Sequence, residues 1–526
     1  MTYPLPVPAP TPSRRVTVLL ALVGGALTRL AFPDPGWWGL APVGVALLWW
    51  ALRRDSARWN CLVGLLWGLT FFLPLITWAD DAVGPVPWVA LSVAEAAFVG
   101  LLGAAWGWAR RGEAVWRSGG LQVVVFALLW VAVEELRSAW PFGGFPWGRL
   151  AFSQASSPLV AYASWAGTPL VSGVVAAGGV LLGLVALRLR RGQLLRAPVG
   201  LAAAAALLAV GWQIPLDARA QDGELRVGAV QGDVPGTGLE AFGRARQVLD
   251  NHLAGTRELA EHAGRGALDV VLWPENGSDI DPQVDLQAAA GIDAAARALG
   301  APILVGAVEY PESGGRYNVS LLWQPGQGVT DRYAKQHPAP FAEYIPFREL
   351  VRPFSSAVDL VVNDMLPGTT TGVVAFDSPR LGRTVQMADA ICFEVAYDAL
   401  VRDGVRAGGE IIVVPTNNAS FGFSDEAVQQ LAMSQLRAVE HGRATVQIST
   451  VGVSAVILPD GVITHRTGLF TTEQLVADLP LRQSLTWATR LGPWPAWVVD
   501  ALAVLTVLAG AAGARRTRRA DRVDGL

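Results

Sequence analysis

Cys392, Lys335 and Glu275 are the side chains of this chain that together could perform covalent chemistry on a carbonyl. A thiol becomes a strong nucleophile when a nearby base takes its proton, and a carboxylate in an apolar pocket can be that base. Attack on a carbonyl creates an oxyanion, which an ammonium and the backbone N–H of the residue after the cysteine can stabilise. Collapse of that species leaves a thioester on Cys392, which a second nucleophile then opens. Lys335 is singled out by composition alone. The chain has 41 basic residues, and every one except Lys335 is arginine. An ammonium is a compact, tunable charge that guanidinium cannot imitate. Each residue alone has a plain structural reading: drift for the lysine, core for the cysteine, solvation for the glutamate. Their conjunction is what points to catalysis.

All three follow strand-like runs. Glu275 comes after Asp269-Val-Val-Leu-Trp-Pro, Lys335 after Asp331-Arg-Tyr-Ala, and Cys392 after Gln386-Met-Ala-Asp-Ala-Ile. Strand ends are where α/β folds assemble sites, because side chains converge there on rigid supports. Between about Gln221 and Arg490, β-branched runs recur at Leu225–Val230, Asp269–Trp273, Ile303–Val308, Val319–Trp323, Val385–Ile391, Glu410–Val414 and Thr445–Leu458. Helical periods at Leu239–His262, Leu286–Leu299 and Glu426–Glu440 alternate with some of them. The pattern predicts sheets covered by helices, with residues 221–490 as the catalytic unit.

The remainder has a different solvent. Hydrophobic residues make up 52% of the chain and charged ones 16%, with 21 tryptophans. Apolar runs occupy Val16–Phe32, Trp37–Leu52, Trp59–Trp78, Val86–Ala109, Leu121–Ala139, Leu159–Leu187, Val199–Ile214 and Trp494–Gly513. Most approach the ~20 residues that cross a hydrocarbon core; the second and seventh are short. Arginines cluster in every second loop: Arg14 and Arg15, then Arg53 to Arg58, Arg110 to Arg117, Arg188 to Arg196, and Arg515 to Arg522. The other loops are almost free of them, Arg149 and Arg29 being the exceptions. This asymmetry predicts a polytopic α-helical bundle of eight spans with both termini cytoplasmic. Residues 1–214 would hold seven spans, 494–513 the eighth, and 514–526 a cytoplasmic tail. The polar unit would then lie outside the cytoplasm. Glu95, Glu134, Glu135 and Arg137 sit within or beside spans, where charged groups face the bundle interior. Glu134 and Arg137, three apart, suggest an intrahelical pair.

Other classes are excluded by what is missing. Two cysteines cannot make a disulfide framework, and Cys61, in an apolar run, reads as a small buried hydrophobe. Five scattered histidines lack zinc-ligand spacing, so no metal and no cofactor is expected. The arginines do not gather on one basic face, so nucleic acid is not an expected partner. Neither Gly-x-Ser-x-Gly nor His-x4-Asp occurs, which argues against other lipases and acyltransferases.

Trp273-Pro274-Glu275, Tyr333-Ala334-Lys335 and Ile391-Cys392-Phe393-Glu394 resemble the Glu-Lys-Cys triad of the nitrilase (carbon–nitrogen hydrolase) superfamily. With the apolar runs, the chain resembles the apolipoprotein N-acyltransferase family over essentially its whole length. Further similar stretches are Gly144-Phe-Pro-Trp147, Val230-Gln-Gly232, Pro340-Phe-Ala-Glu-Tyr-Ile-Pro346, Asn417-Asn-Ala-Ser-Phe-Gly422 and Arg437-Ala-Val-Glu-His-Gly-Arg443. The resemblance implies an α-β-β-α nitrilase-like sandwich beside the bundle, in a bacterial inner membrane. It also implies a ping-pong reaction: an acyl chain passes from a phospholipid, typically phosphatidylethanolamine, to Cys392, then to the α-amine of diacylglyceryl-cysteine in an apolipoprotein. Glu275 would be the base, Lys335 the oxyanion partner and Cys392 the nucleophile. Glu343 and Glu394 match two further glutamates near the site, beside Phe393 and Tyr344. The stretch Tyr344–Pro367, with Ile345, Phe347, Leu350, Val351 and Phe354, would be a lid over the lipid entrance. A monomer is expected. Phe393 stands for a usual tyrosine, Phe421 for a tryptophan and Ala342 for a glycine; a family tryptophan after Val-Gln-Gly is missing, Phe242 being the nearest aromatic. Two rival readings remain: a membrane-tethered amidase that uses water as second nucleophile, and a non-catalytic scaffold or transporter.

Overall fold

The computed structural model describes residues 11–234 and 246–523. Phe242 and the first part of the expected Leu239–His262 helix lie outside these; the helix that is described runs Gln247–Ala263.

Among the described residues, twelve strands form two six-stranded sheets. In chain order they are β1 (Glu224–Gln231), β2 (Val270–Leu272), β3 (Ile303–Glu309), β4 (Tyr317–Gln324), β5 (Gly328–Ala334), β6 (Val373–Ser378), β7 (Arg383–Asp389), β8 (Ile411–Thr416), β9 (Thr445–Ser449), β10 (Ala455–Ile457), β11 (Ile463–Arg466) and β12 (Glu473–Pro480). One sheet has the order β12-β1-β2-β3-β4-β5 and the other β11-β10-β9-β8-β7-β6. The expected run Thr445–Leu458 is not one strand. It folds back as the antiparallel pair β9–β10, because Gly452 and Ser454 end the β-branched pattern and Ser454 turns its hydroxyl to the Ser449 N–H.

Strand periodicity explains the layering. In β8, Ile411 and Val413 face the other sheet, where they meet Leu225, Leu272 and Tyr333. Ile412 and Val414 point the opposite way, into a core shared with Val401, Val405, Met433 and Leu436 of two helices. The outer face of the first sheet is covered in the same manner by the Gln247–Ala263 and Leu286–Leu299 helices. Apolar residues on both faces of the central strands thus dictate helix, sheet, sheet, helix.

Five of the described helices are long and apolar enough to cross a membrane: Ala57–Leu75, Pro85–Ala109, Gly119–Ala139, Pro158–Arg190 and Trp494–Ala514. Arg14–Leu30 and Ala197–Gln213 have 17 residues each, and Leu40–Ala51 has 12. At 1.5 Å per residue the last reaches only about 18 Å. Serines begin several of these helices, with Ser13, Ser56 and Ser118 each accepting a first-turn N–H. The Ala57–Leu75 and Pro85–Ala109 helices cross closely because a Cβ on Gly64 would stand 2.2 Å from the Val99 carbonyl oxygen. Cys61 is exposed rather than buried. For an apolar helix the outside is also an apolar solvent, so the residue type does not distinguish the two positions.

The bundle and the sandwich share one core cluster, and charged residues bolt them together. Arg149 pairs with Glu135 and, at 3.1 Å, with Asp398 of the sandwich. Asp398 also meets Arg437 at 2.6 Å, and Arg437 pairs with Glu440. Arg29 reaches Asp425. The suggested Glu134–Arg137 pair does not form. Arg137 turns instead to Glu95 at 3.1 Å and to the carbonyls of Phe145 and Trp147, which the irregular chain after the helix leaves without partners. Glu134 accepts from the Trp130 indole and the Leu150 N–H, both at 2.9 Å.

Candidate active site

Glu275 lies just beyond β2, Lys335 directly after β5, and Cys392 three residues past β7. The Pro274–Glu275 backbone lies tight against β3. A Cβ on Gly306 would stand 2.1 Å from the Pro274 carbonyl oxygen, so this approach requires glycine. Cys392 adopts φ 55, a left-handed conformation that a residue with a side chain holds only when its surroundings impose it. Those surroundings are specific. Arg437 donates to the carbonyls of Val395 and Ala396, and the buried Glu394 carboxylate accepts the N–H of Ile391 at 2.8 Å.

The three expected residues come together. Lys335 Nζ donates to Glu275 Oε1 at 3.2 Å and to Glu343 Oε1 at 2.8 Å. The lysine side chain is 1% exposed and that of Glu275 5%. Glu275 also accepts from the Asn318 amide, and its Oε2 accepts the Asn417 N–H at 2.8 Å. The residue before, Thr416, has its hydroxyl 3.2 Å from Cys392 Sγ. Two consecutive residues at the end of β8 thus tie the carboxylate to the thiol. Glu343 is held in turn by the Ala339 N–H at 2.6 Å.

Electrostatics assign the resting states. Burial alone would push the Lys335 ammonium down, but the Glu275 and Glu343 carboxylates hold it well above its ordinary value. Burial and the Glu275 charge push the Cys392 thiol up, against the pull of Lys335. Cys392 is therefore held as a neutral thiol, and a thiol so held would need a base to take its proton before it could act as a nucleophile. Burial raises Glu394 to about 7, although Lys335 and the N–H groups of Ile391 and His337 oppose it.

The other expected residues divide. Glu394 does not touch the Lys335 ammonium. It accepts from Tyr333 at 2.9 Å and from the Gln336 and His337 amides, fixing the chain on either side of Lys335 and Cys392. Phe393 stacks on Phe145 and Trp147 of the bundle, with ring centroids 5.8 and 5.9 Å away. Phe421 meets Trp78 edge-on. Tyr344 is half-buried, and its backbone carbonyl accepts the Phe341 N–H at 2.8 Å. In the expected lid, Ile345 is buried with Val358 and Val361, and Val351 packs against them. Phe347, Leu350 and Phe354 point outward, each at least two-thirds exposed at 70%, 67% and 72%. Residue-level reading missed Asn318, Thr416, Gln430 and Glu426. Gln430 and Glu426 stand one helical turn apart on a buried face that continues through Ser434, Arg437 and His441, so apolar periodicity gives no mark of them.

This arrangement has counterparts. A family model described as carbon-nitrogen hydrolase matches residues 226–489, which defines the class of the sandwich. A second, described as apolipoprotein N-acyltransferase N-terminal domain, matches residues 24–181. An apolipoprotein N-acyltransferase of Mycolicibacterium smegmatis is 40% identical over 521 residues, covering 93% of this chain and 84% of its own. One of Azotobacter vinelandii is 32% identical over 509 residues, covering 93% of each. Among solved structures, an amidase from Nesterenkonia sp. covers 53% of this chain and 98% of its own, with 17% identity and a TM-score of 0.39. The chain belongs to the apolipoprotein N-acyltransferase family.

Proposed function

We propose that this protein transfers an acyl chain from a phospholipid, through a thioester on Cys392, to the N-terminal amine of a diacylglyceryl-cysteine apolipoprotein. Family membership supports the reaction class. The observation that carries the residue assignment is the link from Glu275 through Asn417 and Thr416 to Cys392, with Lys335 bridging Glu275 and Glu343.

In the first half, Glu275 takes the thiol proton as sulfur bonds to the ester carbonyl carbon. Lys335 and the Phe393 N–H stabilise the oxyanion. The C–O bond breaks and Glu275 returns its proton to the leaving lysophospholipid alcohol. In the second half, the acceptor amine attacks the thioester carbon. The C–S bond breaks, the amine proton passes by way of Glu275 to sulfur, and the amide leaves. Phosphatidylethanolamine is the proposed donor, and the enzyme acts as a monomer with no cofactor.

The protein is integral to the inner membrane. We read residues 1–214 as seven spans, 221–490 as the catalytic unit on the extracytoplasmic face, 494–513 as an eighth span and 514–526 as a cytoplasmic tail. The alternation of arginine-rich loops supports this orientation. Phe347, Leu350 and Phe354 form the apolar outer face of a lid over the lipid entrance, with Ile345 and Val351 as its anchor.

The acceptor decides between transferase and amidase. Thioester-loaded protein should discharge to a synthetic diacylated lipopeptide with a free N-terminus, giving an N-acylated product by mass spectrometry. Release of free fatty acid at the same rate with and without peptide would instead assign a hydrolase.

A further inference from the structure

Beneath Cys392 lies a buried polar cluster to which the proposed reaction assigns no chemical step. It consists of Thr416, Gln430, Asn418, Glu426 and Ser449, each at most 2% exposed. The Thr416 hydroxyl is 3.2 Å from Cys392 Sγ and 2.9 Å from Gln430 Oε1. Gln430 Nε2 is 3.7 Å from the same sulfur. The cluster orients its own amides. Ser449 donates to Asn418 Oδ1 at 2.6 Å, which turns Asn418 Nδ2 toward Glu426 and, at 3.0 Å, toward Gln430 Oε1. With its oxygen so occupied, Gln430 must present its NH2 to the sulfur.

We propose that Thr416 and Gln430 are thiolate-stabilising donors, catalytic residues that ease the departure of Cys392 sulfur when the amine opens the thioester. The inference rests on the acyl-transfer reading and deepens it. A hydroxyl has one proton, so Thr416 cannot donate to both neighbours at once. While Cys392 is a thiol, its S–H donates to Thr416 Oγ1, whose own proton goes to Gln430 Oε1. As the C–S bond breaks and its electron pair collects on sulfur, the Thr416 O–H rotates to the sulfur. Gln430 Oε1 then keeps the Asn418 bond, so the switch leaves no buried acceptor bare. Gln430 Nε2 donates throughout. Such donors matter here because the charged and titratable groups facing the sulfur oppose one another. Glu275 after β2 and Glu426 on the Glu426–His441 helix disfavour a thiolate, and Lys335 after β5 favours one.

The helix also explains how the donor is held. Gln429, next to Gln430, accepts from the indoles of Trp147 at 2.6 Å and Trp78 at 3.3 Å and donates to the Leu75 carbonyl. One residue grips the membrane bundle while its neighbour grips the nucleophile.

The test uses full-length protein in detergent with Cys61→Ala, so that Cys392 is the only thiol, and with Thr416→Val, Thr416→Ser and Gln430→Leu added singly. Two quantities are read: the pH profile of Cys392 alkylation by iodoacetamide, and the single-turnover rate at which a phospholipid-derived thioester discharges to a diacylated peptide. A hydrogen bond to a charged group is worth about a tenfold change in equilibrium or more. Thr416→Val should therefore shift the alkylation profile up by about one pH unit and slow discharge about tenfold. Thr416→Ser should restore both, and Gln430→Leu should move both in the direction of valine. A valine variant within twofold of the parent in both readouts, or a serine variant as poor as valine, overturns the proposal. If no thioester forms on the parent, the acyl-transfer reading fails, while the alkylation profiles still decide whether the donors act on the sulfur.

Discussion

Lys335, the lone lysine of the chain, lies buried between two carboxylates, Glu275 and Glu343. Guanidinium is larger and planar, and could not keep both contacts while presenting a point charge to an oxyanion. Lys335→Arg should lower the rate of thioester formation about a hundredfold, the usual cost of losing an oxyanion donor. Wild-type turnover in that variant would show that charge alone suffices. Glu426 offers a pH-dependent test. Burial raises it to about 8, opposed by the Asn418 hydrogen bond and reinforced by the Glu275 charge. Because its folded pKa lies above the unfolded one, its neutral form favours folding. That contribution is whole below the unfolded pKa of about 4.3 and is lost as pH rises through the folded value. The Tm advantage of Glu426→Gln over the parent should therefore widen from about pH 4.5 to about pH 8 and stay level above it; a constant difference would mean the carboxyl is not held neutral. The grouping of Cys392, Lys335 and Glu275 was legible because cysteine and lysine are rare here and chemically singular. Asn318, Thr416 and Gln430 were not, because amides and hydroxyls are common and only tertiary packing decides what they face.

At the scale of elements, segments with an apolar helical period or a β-branched run were legible, and others were not. The Leu286–Leu299 and Glu426–His441 helices stand where the apolar period predicts them. The strands β6, β11 and β12 carry no comparable signature. In β12, Glu473-Gln-Leu-Val-Ala-Asp-Leu-Pro pairs along its full length with β1, yet its polar residues and terminal proline do not read as a central strand. As the edge of its sheet, it tolerates both. The segment proposed as a lid carries a functional expectation of its own. Its buried half, Ile345 with Val358 and Val361, is an ordinary small core, whereas Phe347 packs on Phe142 of the bundle and stays largely exposed. Replacing Phe347, Leu350 and Phe354 together by serine should raise KM for phospholipid in mixed micelles at least tenfold, since each buried side chain of this size is worth roughly 1.5–3 kcal/mol. It should leave acylation by a short-chain soluble ester nearly unchanged. Equal loss with both donors would place the segment in the chemistry instead of in lipid binding.

The molecule as a whole joins a soluble-type sandwich to a membrane bundle through a shared core and buried ion pairs. The turn that carries Cys392 packs directly on bundle aromatics through Phe393. Arginine placement is what carries the proposed orientation; the number of spans is harder to read, because the 12-residue Leu40–Ala51 helix is too short to decide by length. In intact cells, a cysteine at Ser313 should react with a membrane-impermeant maleimide, and one at Gln193 only after permeabilisation. The reverse pattern would place the catalytic unit in the cytoplasm. Whether Cys392 carries the acyl chain is decided by intact-mass analysis of the protein after incubation with phospholipid, followed by peptide mapping. The expected result is a gain of one acyl chain on the peptide containing Cys392, removed by hydroxylamine and missing in Cys392→Ala. The same adduct on Cys392→Ala, or one that resists hydroxylamine, would contradict the thioester and with it the proposed reaction.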